Sequence, residues 1–174
     1  MKGLYLVTPD WDDTAKLVAT TELALRGGAA LVQYRHKNAS AELRKEQAEQ
    51  LLALCRRYQR PLIINDYVEL CLALDADGVH VGGTDASVAQ VRAALGPSKI
   101  VGASCYGSME LARTAYQTGA SYVAFGVLPF ARKEISRDHI GRNHYAIKGR
   151  NCIARRGHWR YDSSQCCPTC GSGC

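Results

Sequence analysis

The sequence predicts an α/β fold of the (β/α)8 barrel type, cut short at about six βα strands and followed by an irregular C-terminal tail. Three observations predict it. Short apolar runs alternate with amphipathic stretches roughly every 20 to 25 residues up to Gly126, and strict alternation of that kind means a parallel sheet. No G-x-G-x-x-G follows the first run, which counts against the dinucleotide-binding form of an open sheet. Polar residues end nearly every strand, namely Gln33 and Arg35, Asn65 and Asp66, His80, and Ser104. Chemistry-bearing groups at the ends of several different strands are the habit of a barrel.

Each element has its own signal. Leu4-Tyr5-Leu6-Val7 reads as a strand broken by Thr8-Pro9. Leu17, Val18, Leu23, Ala24 and Leu25 suit a helix over 14–26 that Gly27-Gly28 stops. Residues 30–35 form the second strand, and a longer helix runs from about Ser40 to Arg57. Leu62-Ile63-Ile64 is a third strand ending on Asn65 and Asp66. Val68, Leu70, Cys71, Leu72 and Leu74 mark a helix, and Gly78-Val79-His80-Val81 a fourth strand. Residues 88–95 are helical up to Gly96-Pro97, 100–104 make a fifth strand, 109–118 a helix ended by Gly119, and 122–126 a sixth strand.

The stretch from Pro61 to Asp85 organises the site. It is a βαβ unit, so Asp66 and Asp85 both fall just past the C-terminal ends of neighbouring parallel strands. Two carboxylates there, with the Asn65 amide beside one, suit a hard divalent ion such as Mg²⁺. The plainer reading is that Asp66 caps the next helix and Asp85 belongs to a turn. Gln33, Arg35 and Lys37 alternate along the end of the second strand, which would put all three on one face. Arg35 and Lys37 suit a phosphate or diphosphate, and Gln33 the edge of a heterocycle. A solvated basic strand end is the competing reading. Ser104 offers a hydroxyl at the same level, or is a turn residue. His80 follows Val79 on a buried-looking strand and reads as a satisfied core histidine rather than a base. No Ser/His/Asp or Cys/His nucleophile arrangement stands out.

Charge and cysteine divide the chain. The net charge is +6, yet residues 1–126 hold 13 Lys+Arg and 13 Asp+Glu, while 127–174 hold 9 and 3. The excess therefore says nothing of nucleic-acid binding by the body of the protein. Cys55, Cys71 and Cys105 lie in apolar or strand-like contexts and read as buried residues of a reduced, cytoplasmic protein; the other five cysteines follow residue 126. No apolar run of 18 residues suggests a membrane span, and the N-terminus turns acidic too early for a secretory signal.

The combination is more specific than its parts. LVQYRHKN, LIINDYVELCLALDADGVHVG, Asp85, IVGASCY and GASYVAFG resemble the thiamine phosphate synthase (thiamine-phosphate pyrophosphorylase) family without a gap from about Leu4 to Gly126. Gly83 departs from the family's usual Gln. The resemblance implies a Mg²⁺-dependent (β/α)8 transferase. It would join an aminomethylpyrimidine diphosphate to a thiazole phosphate and release diphosphate. It implies that Asp66 and Asp85 hold Mg²⁺, that Arg35, Lys37 and Ser104 position the leaving group, and that Gln33 and Asn65 help hold the pyrimidine. Small-molecule substrates are then the expected partners, with no nucleic acid or membrane; oligomeric state is left open. A thiazole-tautomerase-like relative is a second expectation, against which the Asp66/Asp85 pair and Gln33-Arg35-Lys37 argue.

The resemblance stops after Gly126. Residues 127–174 carry only six Leu, Ile or Val and no βα periodicity. Codons permitted for GHWRYDSSQCCPTCGSGC, read one base later, spell A-I-G-G-M-T-P-A-N-A-A-Q-L-V-A-A-G-A. LPFARKE read the same way permits F-P-S-R-A-K. Both are motifs of the kind the family carries, in the same frame and order, so the tail reads as frameshifted. The competing reading is a zinc or nucleic-acid tail on a non-catalytic scaffold, drawn from Cys167-Pro168-Thr169-Cys170 with Cys152, His158, Cys166 and Cys174, and from Arg155, Arg156 and Arg160. The second half of a regular C-x-x-C pair is missing.

Overall fold

A computed structural model describes residues 3–82 and 88–125, together with the backbone of Cys152–Arg155. The chain alternates β1 (Leu4–Val7), α1 (Thr14–Arg26), β2 (Ala29–Tyr34), α2 (Ala41–Arg57), β3 (Leu62–Asn65), α3 (Val68–Leu74), β4 (Gly78–Val81), α4 (Val88–Leu95), β5 (Ile100–Tyr106), α5 (Met109–Gln117) and β6 (Tyr122–Phe125). These strands pair in chain order, each parallel to the last.

Local chemistry sets the helix starts. Asp13, Ser40 and Ser108 each accept a backbone N–H three residues on, from Lys16, Leu43 and Leu111, which satisfies a donor that the first turn leaves free. The reading of Asp66 as a helix cap does not hold. Tyr67 is the N-cap of α3 and makes no side-chain cap bond, while Asp66 sits in the left-handed region at φ 64°.

Alternation along the strands divides the sheet into two faces. Val32, Tyr34, Leu62, Ile64, Val79, Val81 and Val101 point outward and bury themselves against Leu17, Leu25, Leu51, Cys55, Cys71, Val91 and Leu95 of the helices. Ala103, Cys105 and Val123 do the same against Ala112 and Ala115. The other face turns inward, and the sheet is strongly curled. Tyr5 on β1 and Tyr122 on β6 are separated by five strand spacings, ~24 Å in a flat sheet. Their hydroxyl oxygens nevertheless lie 2.7 Å apart and their ring centroids 5.8 Å. Only a sheet rolled into an open barrel brings them together.

A further strand, β7 (Cys152–Arg155), pairs antiparallel with β6. This corrects the expectation of a wholly irregular tail for these four residues: the backbone of β6 offers an open row of hydrogen-bonding groups, which a strand of either direction can satisfy. Among the described residues no helix is long and apolar enough to cross a membrane.

Candidate active site

The inward residues at the C-terminal ends of the strands enclose a cavity of about 280 Å³. Tyr5 and Val7 come from β1, Gln33 from β2 and Arg35 from the residue after it, Asn65 from β3, His80 from β4, Ser104 and Tyr106 from β5, and Tyr122 and Ala124 from β6. Four residues singled out from the sequence, Gln33, Arg35, Asn65 and Ser104, thus share one cavity.

Gln33 Nε2 donates to Asn65 Oδ1 at 3.4 Å. Asn65 Nδ2 donates in turn to Asp66 Oδ2 at 2.6 Å, and the Gly82 N–H donates to Asp66 Oδ1 at 3.3 Å. The Asp66 carboxylate is exposed at the sheet edge beside the cavity. It presents hard oxygens with lone pairs to spare, the donor chemistry a divalent magnesium ion takes. Asp85 lies outside the described residues, and among those described no group of three or more His, Cys, Asp or Glu could hold a metal.

Arg35 is held rather than free. Its Nη1 lies 3.3 Å from both carboxylate oxygens of Asp10, which follows β1. Asp10 Oδ1 also accepts the Lys37 N–H at 3.4 Å. The loop carrying Asp10 is anchored from behind, where buried Gln47 on α2 donates to the Trp11 carbonyl and accepts from the Tyr34 hydroxyl. Lys37 does not alternate with Arg35 as expected. β2 ends at Tyr34, so Lys37 lies three residues past the strand, exposed and outside the cavity lining.

His80 is buried and satisfied, as the sequence suggests, but by the site itself. Its Nδ1 lies 2.9 Å from the Tyr122 hydroxyl and its Nε2 2.8 Å from Ser104 Oγ. Burial pushes its pKa down to about 4, against a smaller opposing effect of Asp66, so the ring is neutral at pH 7. Burial also raises the phenols of Tyr5 and Tyr122 well above their ordinary range. Tyr5, Tyr122 and Asp10 were not legible as site residues. The available signals were aromatic residues at inward strand positions, a glycine opposite one of them, and an acid following the end of β1.

The family model described as thiamine monophosphate synthase matches residues 4–145. The chain belongs to the thiamine monophosphate synthase family. Two relatives, the thiamine-phosphate synthases of Janthinobacterium sp. (strain Marseille) and Methylobacillus flagellatus, are 67% and 57% identical over 126 residues, which is 72% of this chain and 61% and 60% of theirs. A solved structure of thiamine phosphate pyrophosphorylase from Pyrococcus furiosus is 35% identical, with TM-score 0.64, over 72% of this chain and 60% of that one. A putative dihydrodipicolinate synthetase from Pseudomonas aeruginosa, 18% identical with TM-score 0.53 over 71% of this chain and 55% of that one, shares the fold alone. The chain therefore spans about three fifths of the length of these two curated relatives.

Proposed function

We propose that the site belongs to a thiamine phosphate synthase that joins 4-amino-2-methyl-5-pyrimidinylmethyl diphosphate to a thiazole phosphate. The observation that carries this reading is the convergence of Gln33, Arg35, Asn65 and Ser104 on one cavity, with Asp66 beside it, in a chain of this family. The bond from the pyrimidine methylene carbon to the diphosphate oxygen breaks, and its electron pair leaves with diphosphate. The thiazole nitrogen lone pair then forms the new C–N bond.

Gln33 and Asn65, linked to each other, present donors and acceptors to the pyrimidine edge. Arg35 keeps Nη2 and Nε for phosphate oxygens while Asp10 holds Nη1. Ser104 adds a hydroxyl, and Lys37 an exposed charge from the loop after β2. Asp66 and Asp85 would hold Mg²⁺, which when bound supplies positive charge against the departing diphosphate. The reaction needs no membrane or nucleic acid, and buried reduced cysteines accord with the cytoplasm.

We propose further that residues 127–174 are translated out of frame, that the body of the enzyme is 1–126, and that the chain as written is a poor catalyst or none. Two family motifs recovered in one alternative frame support this. So does the antiparallel strand on β6, at the edge where a closed barrel needs its next parallel strand. As written, the tail carries neither motif, and the loops after strands seven and eight are those that commonly bind phosphate in barrels. The test is an assay of two purified proteins, this chain and one with the frame restored after Gly126. Thiamine phosphate is expected from the restored protein and background from this one. No product from either would refute the assigned reaction, and comparable turnover by both would remove the consequence drawn from the frame.

A further inference from the structure

Four groups form an unbroken hydrogen-bonded line across the concave face: Tyr5 Oη to Tyr122 Oη at 2.7 Å, Tyr122 Oη to His80 Nδ1 at 2.9 Å, and His80 Nε2 to Ser104 Oγ at 2.8 Å. The two ends, Tyr5 and Ser104, are half-buried in the cavity lining, and Tyr122 and His80 between them are buried. We propose that this line runs in one direction, from Tyr5 through Tyr122 and His80 to Ser104. His80 then keeps its proton on Nε2, and Ser104 is left as a hydrogen donor to an anion in the cavity. The proposal rests on the reading above that Ser104 faces the diphosphate.

Three hydroxyls and a neutral imidazole carry four hydrogens, and the line has three bonds. One hydrogen is always left over. If His80 is protonated on Nε2, it donates to Ser104. Tyr122 must then donate to Nδ1 and Tyr5 to Tyr122, so the spare hydrogen is on Ser104 at the cavity. If His80 is protonated on Nδ1, Ser104 must donate to Nε2. The spare hydrogen then falls on Tyr122 or Tyr5.

The second arrangement is worse. Tyr122 is buried, and among the described residues Tyr5 Oη has no hydrogen-bond partner but Tyr122. A spare hydrogen on Tyr122 would be a buried donor without an acceptor, which is costly, and one on Tyr5 would meet no acceptor among the described residues. It would also turn toward the diphosphate a serine oxygen that could only accept, against an anion that itself only accepts. The first arrangement avoids both. His80, Tyr122 and Tyr5 are thus positioning residues that fix the polarity of the Ser104 hydroxyl without touching the reacting atoms. Asp66, which follows β3 and whose N–H donates to the His80 carbonyl, takes no part in the line.

The test reads the tautomer directly. The ¹⁵N shifts of His80 in histidine-labelled full chain, assigned by the loss of its signals in His80→Gln, distinguish the two protonation sites. In parallel, inorganic diphosphate with Mg²⁺ is titrated calorimetrically. The expected result is an Nε2–H ring in the parent chain. Tyr122→Phe leaves Nδ1 without its donor, so an Nδ1–H population appears and diphosphate binds about tenfold more weakly. Thr21→Val removes a buried hydroxyl on α1, outside the cavity, so both tautomer and affinity hold. An Nε2–H ring retained in Tyr122→Phe together with the loss of affinity would show general damage to the cavity and overturn the proposal. An Nδ1–H ring in the parent chain overturns it too, and spares the anion reading if Ser104→Ala still weakens binding. Unchanged affinity in Ser104→Ala removes that reading of Ser104 and with it the consequence drawn here.

Discussion

The Tyr122 ring occupies the space that a side chain on Gly102 would need. The two residues are paired across β5 and β6, and a Cβ on Gly102 would overlap Tyr122 at Cζ and Oη. The ring is boxed in by His80, stacked at 5.6 Å, and by Tyr5. Gly102→Ala should therefore displace Tyr122, break its bonds to His80 and Tyr5, and destabilise the fold by about 1–3 kcal/mol, the usual cost of overpacking. Urea unfolding measures this. A midpoint unchanged from the parent chain would show that the ring moves freely, and the account of the concave face would be wrong.

Asp66→Asn should change charge while leaving the backbone alone. Asp66 is at φ 64°, a conformation that Asn tolerates and Ala does not. Its amide oxygen can still accept the Gly82 N–H, and Asn65 and Gln33 can turn their amides together to meet the new NH2. Because the side chain is exposed, the fold should lose less than about 1 kcal/mol. The Mg²⁺ dependence of diphosphate binding should disappear. If calorimetric titration gives the same Mg²⁺ dependence for both proteins, Asp66 is not a ligand.

The strands were legible because each is a short apolar run closed by a polar residue, and β1, β4 and the α1 boundaries coincide with the reading. β5 runs two residues past its expected end at Ser104, since a register shift between Ser104 and Tyr106 lets Tyr106 rejoin β6 opposite Phe125. Such an irregularity has no signature in one sequence. Gln33, Asn65 and Ser104 were legible as strand-end polar groups. The tyrosines were not, because an inward aromatic residue looks like core until the curl of the sheet is known. Curl is a property of all six strands together. Asp10 has no such signal for a related reason: its partner Arg35 follows the end of the neighbouring strand, 25 residues away.

The cysteines give a check on which part of the chain is folded. Cys55, Cys71 and Cys105 are buried and free. Burial pushes the Cys55 thiol up to about 12 and the Cys71 thiol up to about 11, and it raises Cys105 as well. Thiolate is the reactive form, so all three should resist iodoacetamide at pH 8 until denaturant is added. Peptide mapping by mass spectrometry reads each site separately. Rapid native labelling of Cys55 or Cys71 would mean that the helical layer is not packed against the sheet.

His80 predicts a specific acid sensitivity. Its folded pKa of about 4 lies below the ordinary histidine value of 6.5, so between these values the unfolded chain binds the extra proton and the folded chain does not. Stability from this group is therefore complete above pH 6.5 and is lost as pH falls toward 4. The full difference is about 3 kcal/mol, an upper figure because partial opening would admit water to the ring. Carboxylates held low in the fold, Glu22 by the Tyr58 hydroxyl and Asp75 by Lys99, lose their contribution only at lower pH. The interval from pH 6.5 to 5 therefore separates His80 from them. His80→Gln cannot titrate, so its urea midpoint should fall less than the parent's across that interval. The difference between the two curves removes every other histidine. Parallel curves would show that His80 is protonated as readily in the fold as outside it. The neutral ring between Tyr122 and Ser104 would then have to be abandoned.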